Sequence, residues 1–235
     1  MIAAHLCLDV ETMEGKPAND FETALLLVRQ NPEWKPETGI KRFNEAREKS
    51  KERRALLDSA ELACACFRTN LELVGFHRFG AHGPQPVESA LTFGANSERE
   101  MLVAVRDYLN TRTDQTSLLI GHNVDGFDLR RLRFRYLVNQ LQLPMVLANP
   151  DQGTCDTMKL FCRRVSLDHG EMMIALSTVL ERLGIANHKE LVSGDQVGAL
   201  IAAGQWQTVL RYCLLDVCAE LEVFWRLSGR SASLA

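Results

Sequence analysis

The chain has 235 residues, 46% of them hydrophobic, enough for one large α/β domain with a full core. A formal net charge of −3 excludes a global positive field, so nucleic-acid contact would have to come from local basic patches. Seven cysteines, an odd number lying mostly in apolar runs, read as reduced, small hydrophobes. Cys64-Ala65-Cys66 lacks the spacing of a zinc knuckle and has no second Cys/His pair nearby. No signal peptide, lipidation motif or apolar run of about 18 residues is visible, so no membrane partner is expected and a cytoplasmic location is.

In chain order, residues 2–8 are mostly apolar and too short for a globular helix. They read as a central strand buried on both faces. Strand alternation puts Asp9 and Glu11 on one side, about 7 Å apart along the chain. Two carboxylates at the end of a buried strand repel each other and lose hydration, an arrangement that needs a cation. At a solvated strand end they would need none, so other parts of the chain must decide. Residues 13–39 are irregular, with Pro17, Pro32 and Pro36 and a short helix expected at 21–28. Residues 40–58 are polar, without Pro or Gly, and read as an exposed helix. There Lys41, Arg42, Arg47, Lys49, Lys51, Arg53 and Arg54 outnumber Glu45, Glu48 and Glu52. That pattern suits either a solvated face with i,i+4 pairs or a basic arm beside a nucleic-acid path.

Two β-type runs at 62–67 and 71–79, joined at Thr69-Asn70, predict a hairpin, with a Gly/Pro loop after it. Ser97 followed by Glu100 is a capping box opening a helix to about residue 110. A buried strand is expected at 118–121, a helix at 128–142 ended by Pro144, and a strand near 153–157. Helical segments follow at 158–165, 174–183 and 197–203, then a last helix at 206–227 and a frayed tail at 228–235. The turn around His188-Lys189 and Ser193-Gly194-Asp195 leads into one of these helices, with Ser193 or Asp195 as its cap. No repeat or linker interrupts the pattern. The expectation is a single α/β domain over residues 1–235, carrying a helical, charge-rich insert at about 13–58. Its core is a central mixed five-stranded sheet flanked by helices.

Two further stretches carry polar chemistry. Across residues 120–128 an apolar strand ends in a Gly-containing turn and passes straight into a helix. Groups at such a turn can meet the carboxyl end of a neighbouring strand. Arg130, Arg131, Arg133 and Arg135 crowd the helix after Asp128, where one or two could reach phosphate, and His122 reads as a structural hydrogen-bonding group. Asp156, at a strand end before a helix, reads as a cap or a group near the site. In the last helix Tyr212 and Asp216 stand at i and i+4 on one face. An Asp in so apolar a helix needs something to pair with it.

Asp9-Val10-Glu11, Asn123-x-x-x-Phe127-Asp128 and Tyr212-x-x-x-Asp216 resemble, in order and context, the three motifs of DEDD nucleases. These are 3′→5′ exonucleases with the ribonuclease H-like fold. The Tyr four residues before the final Asp is similar to the DEDDy branch; the sister branch has a His five residues before it, where this chain has Arg211. The long segment after the first motif, Asp156-Thr157-Met158 and Gly204 before Tyr212 look most like one subgroup. Its members are stand-alone bacterial exonucleases related to the proofreading domain of family B DNA polymerases.

The resemblance implies Asp9, Glu11, Asp128, Tyr212 and Asp216 as catalytic residues. It implies that the four carboxylates hold two divalent cations, Mg²⁺ or Mn²⁺, about 4 Å apart. Asp9 would bridge both ions, Glu11 and Asp216 would complete the one that binds the attacking water, and Asp128 would hold the other. Tyr212 would orient that water, while Thr12, Met13, Asn123 and Phe127 would lie along the substrate strand. The implied partner is a single-stranded 3′ end, DNA in preference to RNA. The alternatives are an RNA 3′→5′ exonuclease like ribonuclease D and a non-catalytic nucleic-acid-binding subunit.

Overall fold

Strand β1 (His5–Met13) lies in the middle of a mixed sheet. The computed structural model describes residues 3–13, 35, 37–39, 41, 60–79, 89–149, 151–165, 173–188 and 192–229. The helix expected at 21–28, the basic helix at 40–58 apart from Lys41, Lys189 and the tail beyond residue 229 lie outside the described residues. The other strands are β2 (Glu61–Arg68), β3 (Leu73–His77), β4 (Ala90–Gly94), β5 (Leu118–Gly121) and β6 (Thr154–Asp156). Their order is β4-β3-β2-β1-β5-β6. β2 runs antiparallel to both its neighbours, and the remaining pairs are parallel.

The hairpin expected at Thr69-Asn70 forms. The Thr69 hydroxyl accepts the N–H groups of Leu71 and Glu72 at 3.0 and 3.1 Å, a side-chain substitute for backbone turn bonding. Among the described residues the sheet has six strands, not the five expected. The additional one, β4, is a short edge strand whose Leu91 and Phe93 are about half exposed. An edge strand needs no buried run, so its sequence carries no strong apolar signal. It is held by its ladder to β3 and by Phe93 stacking on Phe76 at 5.2 Å.

Among the described residues the helices are α1 (Glu98–Arg112), α2 (Asp128–Val138), α3 (Met145–Ala148), α4 (Thr157–Arg164), α5 (Leu176–Leu183), α6 (Val197–Ala202) and α7 (Trp206–Leu227). Ser97 caps α1 by accepting the Glu100 N–H at 3.2 Å. α2 stops at Val138, earlier than Pro144 requires, because Gln140 turns the chain away at φ 52°. Among the described residues no helix is long and apolar enough to cross a membrane.

Strand alternation sorts the core into two layers. Leu6, Leu8 and Val10 of β1 pack with Phe67 and Phe76 against α1, α2 and α3, through Leu102, Val105, Leu132 and Val146. On the opposite face Cys7 of β1 joins Cys64, Cys66 and Ile120 against Leu210, Cys213, Leu214 and Val217 of α7. A satellite cluster places Phe161, Val179 and Leu180 of α4 and α5 on Val223 of α7. Each such large apolar side chain removed from water contributes about 1.5–3 kcal/mol. The long last helix is therefore packed by both groups, and His5, Cys7, Asp9 and Glu11 of β1 face it. The fold is α/β and ribonuclease H-like.

Candidate active site

Because Cys7, Asp9 and Glu11 share the α7 face of β1, the two carboxylates point at the buried stripe of that helix. Asp216, itself buried, completes the meeting: one carboxylate oxygen each from Asp9, Glu11 and Asp216 lie within 4.8 Å of one another. Just past Glu11 the β1–β2 register shifts, a bulge that bends the strand at the site. Thr12 and Met13 follow it opposite Leu62 and Glu61, with Thr12 buried. The Cys213 thiol bonds to the Asp9 carbonyl at 3.4 Å, pinning helix to strand directly behind the carboxylates.

Asp128 opens α2 from the other edge of β1 and is not one of the three that converge. β5 pairs with β1 only as far as Cys7 opposite Ile120, which leaves that edge of β1 open beyond Cys7, while the other edge stays paired with β2. Asp128 Oδ1 accepts the Val10 N–H at 3.1 Å. The approach is close: a Cβ on Gly121 would lie 2.9 Å from the Leu8 carbonyl oxygen and 2.8 Å from the Val124 Cβ. Burial raises the Asp128 carboxyl above its usual range, and the charges of Asp9 and Asp216 raise it further.

Tyr212 precedes Asp216 by one helical turn and is buried. Burial, then the charges of Asp216, Glu11 and Asp9, push its phenol far above the ordinary value of about 10. It stays protonated at any working pH. The 3₁₀ turn at Gly194–Gln196 passes this hydroxyl, and a Cβ on Gly194 would stand 3.8 Å from it. As expected at that turn, Ser193 is the cap, in a reciprocal box with Gln196.

Asn123 adopts a left-handed backbone, φ 62°, at the head of the turn that leads to Asp128. Gly126 sits close beneath it, and a Cβ there would press on the Asn123 side-chain amide and make it shift. Asp156 Oδ1 accepts the N–H groups of Asn123, Met158 and Lys159 at 3.1, 3.1 and 3.3 Å. It caps α4 and anchors the turn. Phe127 packs against the core cluster, with the Arg131 guanidinium 5.7 Å from its ring centre. His122 bridges Thr157 and the Ile174 carbonyl at 3.2 and 2.8 Å, a structural role. Of the four arginines on α2, Arg135 is paired with Glu98, Arg133 bonds the Leu147 carbonyl, Arg131 is buried, and Arg130 is exposed.

Two residues that sequence reasoning missed stand at the site. His188 Nε2 lies 2.5 Å from Asp216 Oδ1, with its ring 6.2 Å from that of Tyr212. A histidine 28 residues upstream gives no local signal of this contact. Glu220 is buried one turn beyond Asp216 and accepts the Cys7 thiol at 3.4 Å. The four-residue ladder Tyr212, Asp216, Glu220 was the available clue.

A cluster of hard carboxylate oxygens suits Mg²⁺ or Mn²⁺ and not a soft metal, so the donor set fits a divalent cation. An α/β sheet with such a cluster where its central strand meets a buried helix defines a ribonuclease H-like exonuclease architecture. The chain matches the family described as "Predicted 3'-5' exonuclease related to the exonuclease domain of PolB" over residues 87–235, and it belongs to that family. The match includes Asn123, Asp128, Tyr212 and Asp216 and begins after β1, whose two carboxylates are brought in by the fold. A search of curated proteins gives no match.

Proposed function

We propose that the chain hydrolyses phosphodiester bonds from the 3′ end of single-stranded DNA, using two divalent cations, Mg²⁺ or Mn²⁺. The observation that carries this reading is the convergence of Asp9, Glu11 and Asp216 within 4.8 Å beside the Tyr212 helix turn. Asp9, Glu11, Asp128 and Asp216 would hold the cations. Bound there, they supply a water of lowered pKa and charge to stabilise the departing 3′ oxygen.

The chain's own groups do the rest. Tyr212 keeps its proton, so it orients the attacking water by hydrogen bonding and does not take a proton from it. Asp128 fixes the backbone between Asp9 and Glu11. Thr12, Met13, Asn123 and Phe127 line the path of the terminal nucleotides. The choice of DNA rests on the family's relation to the exonuclease domain of PolB. One domain over residues 1–235 carries the activity, and the free thiols of the described cysteines fit a reducing, cytoplasmic setting.

The deciding experiment incubates the full chain with matched 5′-labelled DNA and RNA oligonucleotides in Mg²⁺, Mn²⁺ or EDTA. Stepwise shortening of DNA from the 3′ end, abolished by EDTA, is expected. Shortening of RNA alone would replace the substrate assignment, and binding without cleavage under every metal condition would remove the enzymatic one.

A further inference from the structure

The α7 face of β1 carries Cys7, Asp9 and Glu11, and the facing stripe of α7 carries Tyr212, Asp216 and Glu220 at four-residue spacing. The two elements meet at two levels: Asp9 and Glu11 with Asp216, and Cys7 with Glu220. Glu220 thus lies about 6 Å along the helix axis from Asp216, on the buried side of the cluster. It is 2% exposed. Among the described residues no lysine, arginine, histidine or backbone N–H bonds to it, and its hydrogen-bond donor is the Cys7 thiol.

A buried carboxylate without a cationic partner is strongly disfavoured, and a thiol donor is too weak to offset that. The carboxyl groups that act on it, those of Asp9, Asp128 and Asp216, are all acidic and make matters worse. Among the described residues no cationic group offsets Glu220, and the divalent cation that the neighbouring carboxylates are suited to hold would balance it.

We propose that Glu220 is a fifth carboxylate of the metal site, a positioning residue whose charge tightens cation binding from behind the Asp9–Glu11–Asp216 cluster. It is not a ligand. Attraction between a unit negative charge and a divalent ion falls only inversely with distance, so a carboxylate one turn away still contributes inside a protein. This inference rests on reading that cluster as a cation site.

The test measures Mn²⁺ binding to the full chain directly, by the loss of the free-ion paramagnetic resonance signal and by calorimetry, with no nucleic acid present. Glu220→Gln keeps the side-chain volume and an oxygen for the Cys7 thiol while removing the charge. Its Mn²⁺ affinity should fall on the order of 10-fold or more, and Glu220→Asp should restore most of the loss. If the Gln variant does not fold, Glu220→Leu removes the same charge at similar volume and must show the same weakening. An affinity for Mn²⁺ unchanged or increased in the uncharged variant overturns the proposal. Asp216→Asn separates the two readings. If it loses Mn²⁺ while Glu220→Gln binds like wild type, only the role of Glu220 fails. If the wild-type chain binds no Mn²⁺, both fail.

Discussion

Asp128 Oδ1 accepts the Val10 N–H at 3.1 Å, so the residue that opens α2 also fixes β1 between its two carboxylates. Chemistry and scaffold are thereby joined in one side chain, and two substitutions separate them. Asp128→Asn keeps an oxygen for the Val10 N–H and should leave the unfolding midpoint of the metal-free protein unchanged or higher. Asp128→Ala leaves that N–H buried and unpaired, costing about 1–3 kcal/mol. Both should lower the exonuclease rate by about 100-fold or more, within the range for a positioned catalytic group. Denaturant unfolding beside a gel assay checks it. Equal stability of the two variants would deny Asp128 its structural role.

The same buried charges make stability depend on pH in an unusual direction. Burial and acidic neighbours hold the carboxyls of Asp128 and Glu220 above their ordinary range, so the folded state binds their protons more tightly than the unfolded chain does. Their contribution to stability is complete below the ordinary carboxylate range, about pH 4, and is lost as pH rises through the raised values. In EDTA the melting temperature should therefore decline as pH rises above the ordinary carboxylate range. Adding Mn²⁺ should reverse the decline, because the ion binds the folded state. A melting temperature that climbs with pH in EDTA would show that these groups ionise freely.

A third prediction concerns a site-remote ion pair. Arg135 bonds Glu98 through Nε and a terminal nitrogen at 2.8 and 2.6 Å, and Glu98 also accepts the Leu62 N–H at 2.7 Å. Both side chains are buried, and together they tie α1, α2 and β2. Removing one partner strands the other, so Arg135→Ala should cost about 3–5 kcal/mol. The rate per folded molecule should stay near wild type, measured at a temperature where the variant remains folded. A selective loss of DNA affinity would instead place Arg135 on the substrate path.

How far the site could be read from residues alone follows from what each signal measures. The apolar run before Asp9, the Gly turn before Asp128 and the apolar helix around Asp216 are local patterns, and each forms the element expected of it. β4 escaped because an edge strand with Leu91 and Phe93 half exposed has no buried run to betray it. The spacing puts Glu220 on the face of Tyr212 and Asp216, but its Cys7 partner is visible only once β1 is packed on it. His188 reaches Asp216 through tertiary structure only. One or two arginines of α2 could have reached phosphate on sequence alone, yet Arg135 and Arg133 are taken by Glu98 and the Leu147 carbonyl from other elements. Periodicity tells which face a residue occupies and is silent about what arrives there.

The last prediction separates Tyr212, Asp216 and His188, which touch one another at the head of the site. Asp216→Ala removes a charged oxygen from the converging three, so activity should fall to background and any residual turnover should demand much more metal. Tyr212→Phe keeps the ring and deletes the hydroxyl. If that hydroxyl orients water, the rate should fall by roughly 10- to 1,000-fold, while the metal concentration for half-maximal rate barely moves. Its pH–rate profile should keep the wild-type shape, because a phenol held far above its ordinary pKa does not titrate in the working range. His188→Gln retains a donor toward Asp216 and should cost far less than His188→Ala, which frees that carboxylate to swing. Rates across a Mn²⁺ titration for all four variants distinguish the roles. Full activity of Tyr212→Phe would remove Tyr212 from the chemistry, and a shift in metal demand as large as that of Asp216→Ala would make it a support of the cation site instead.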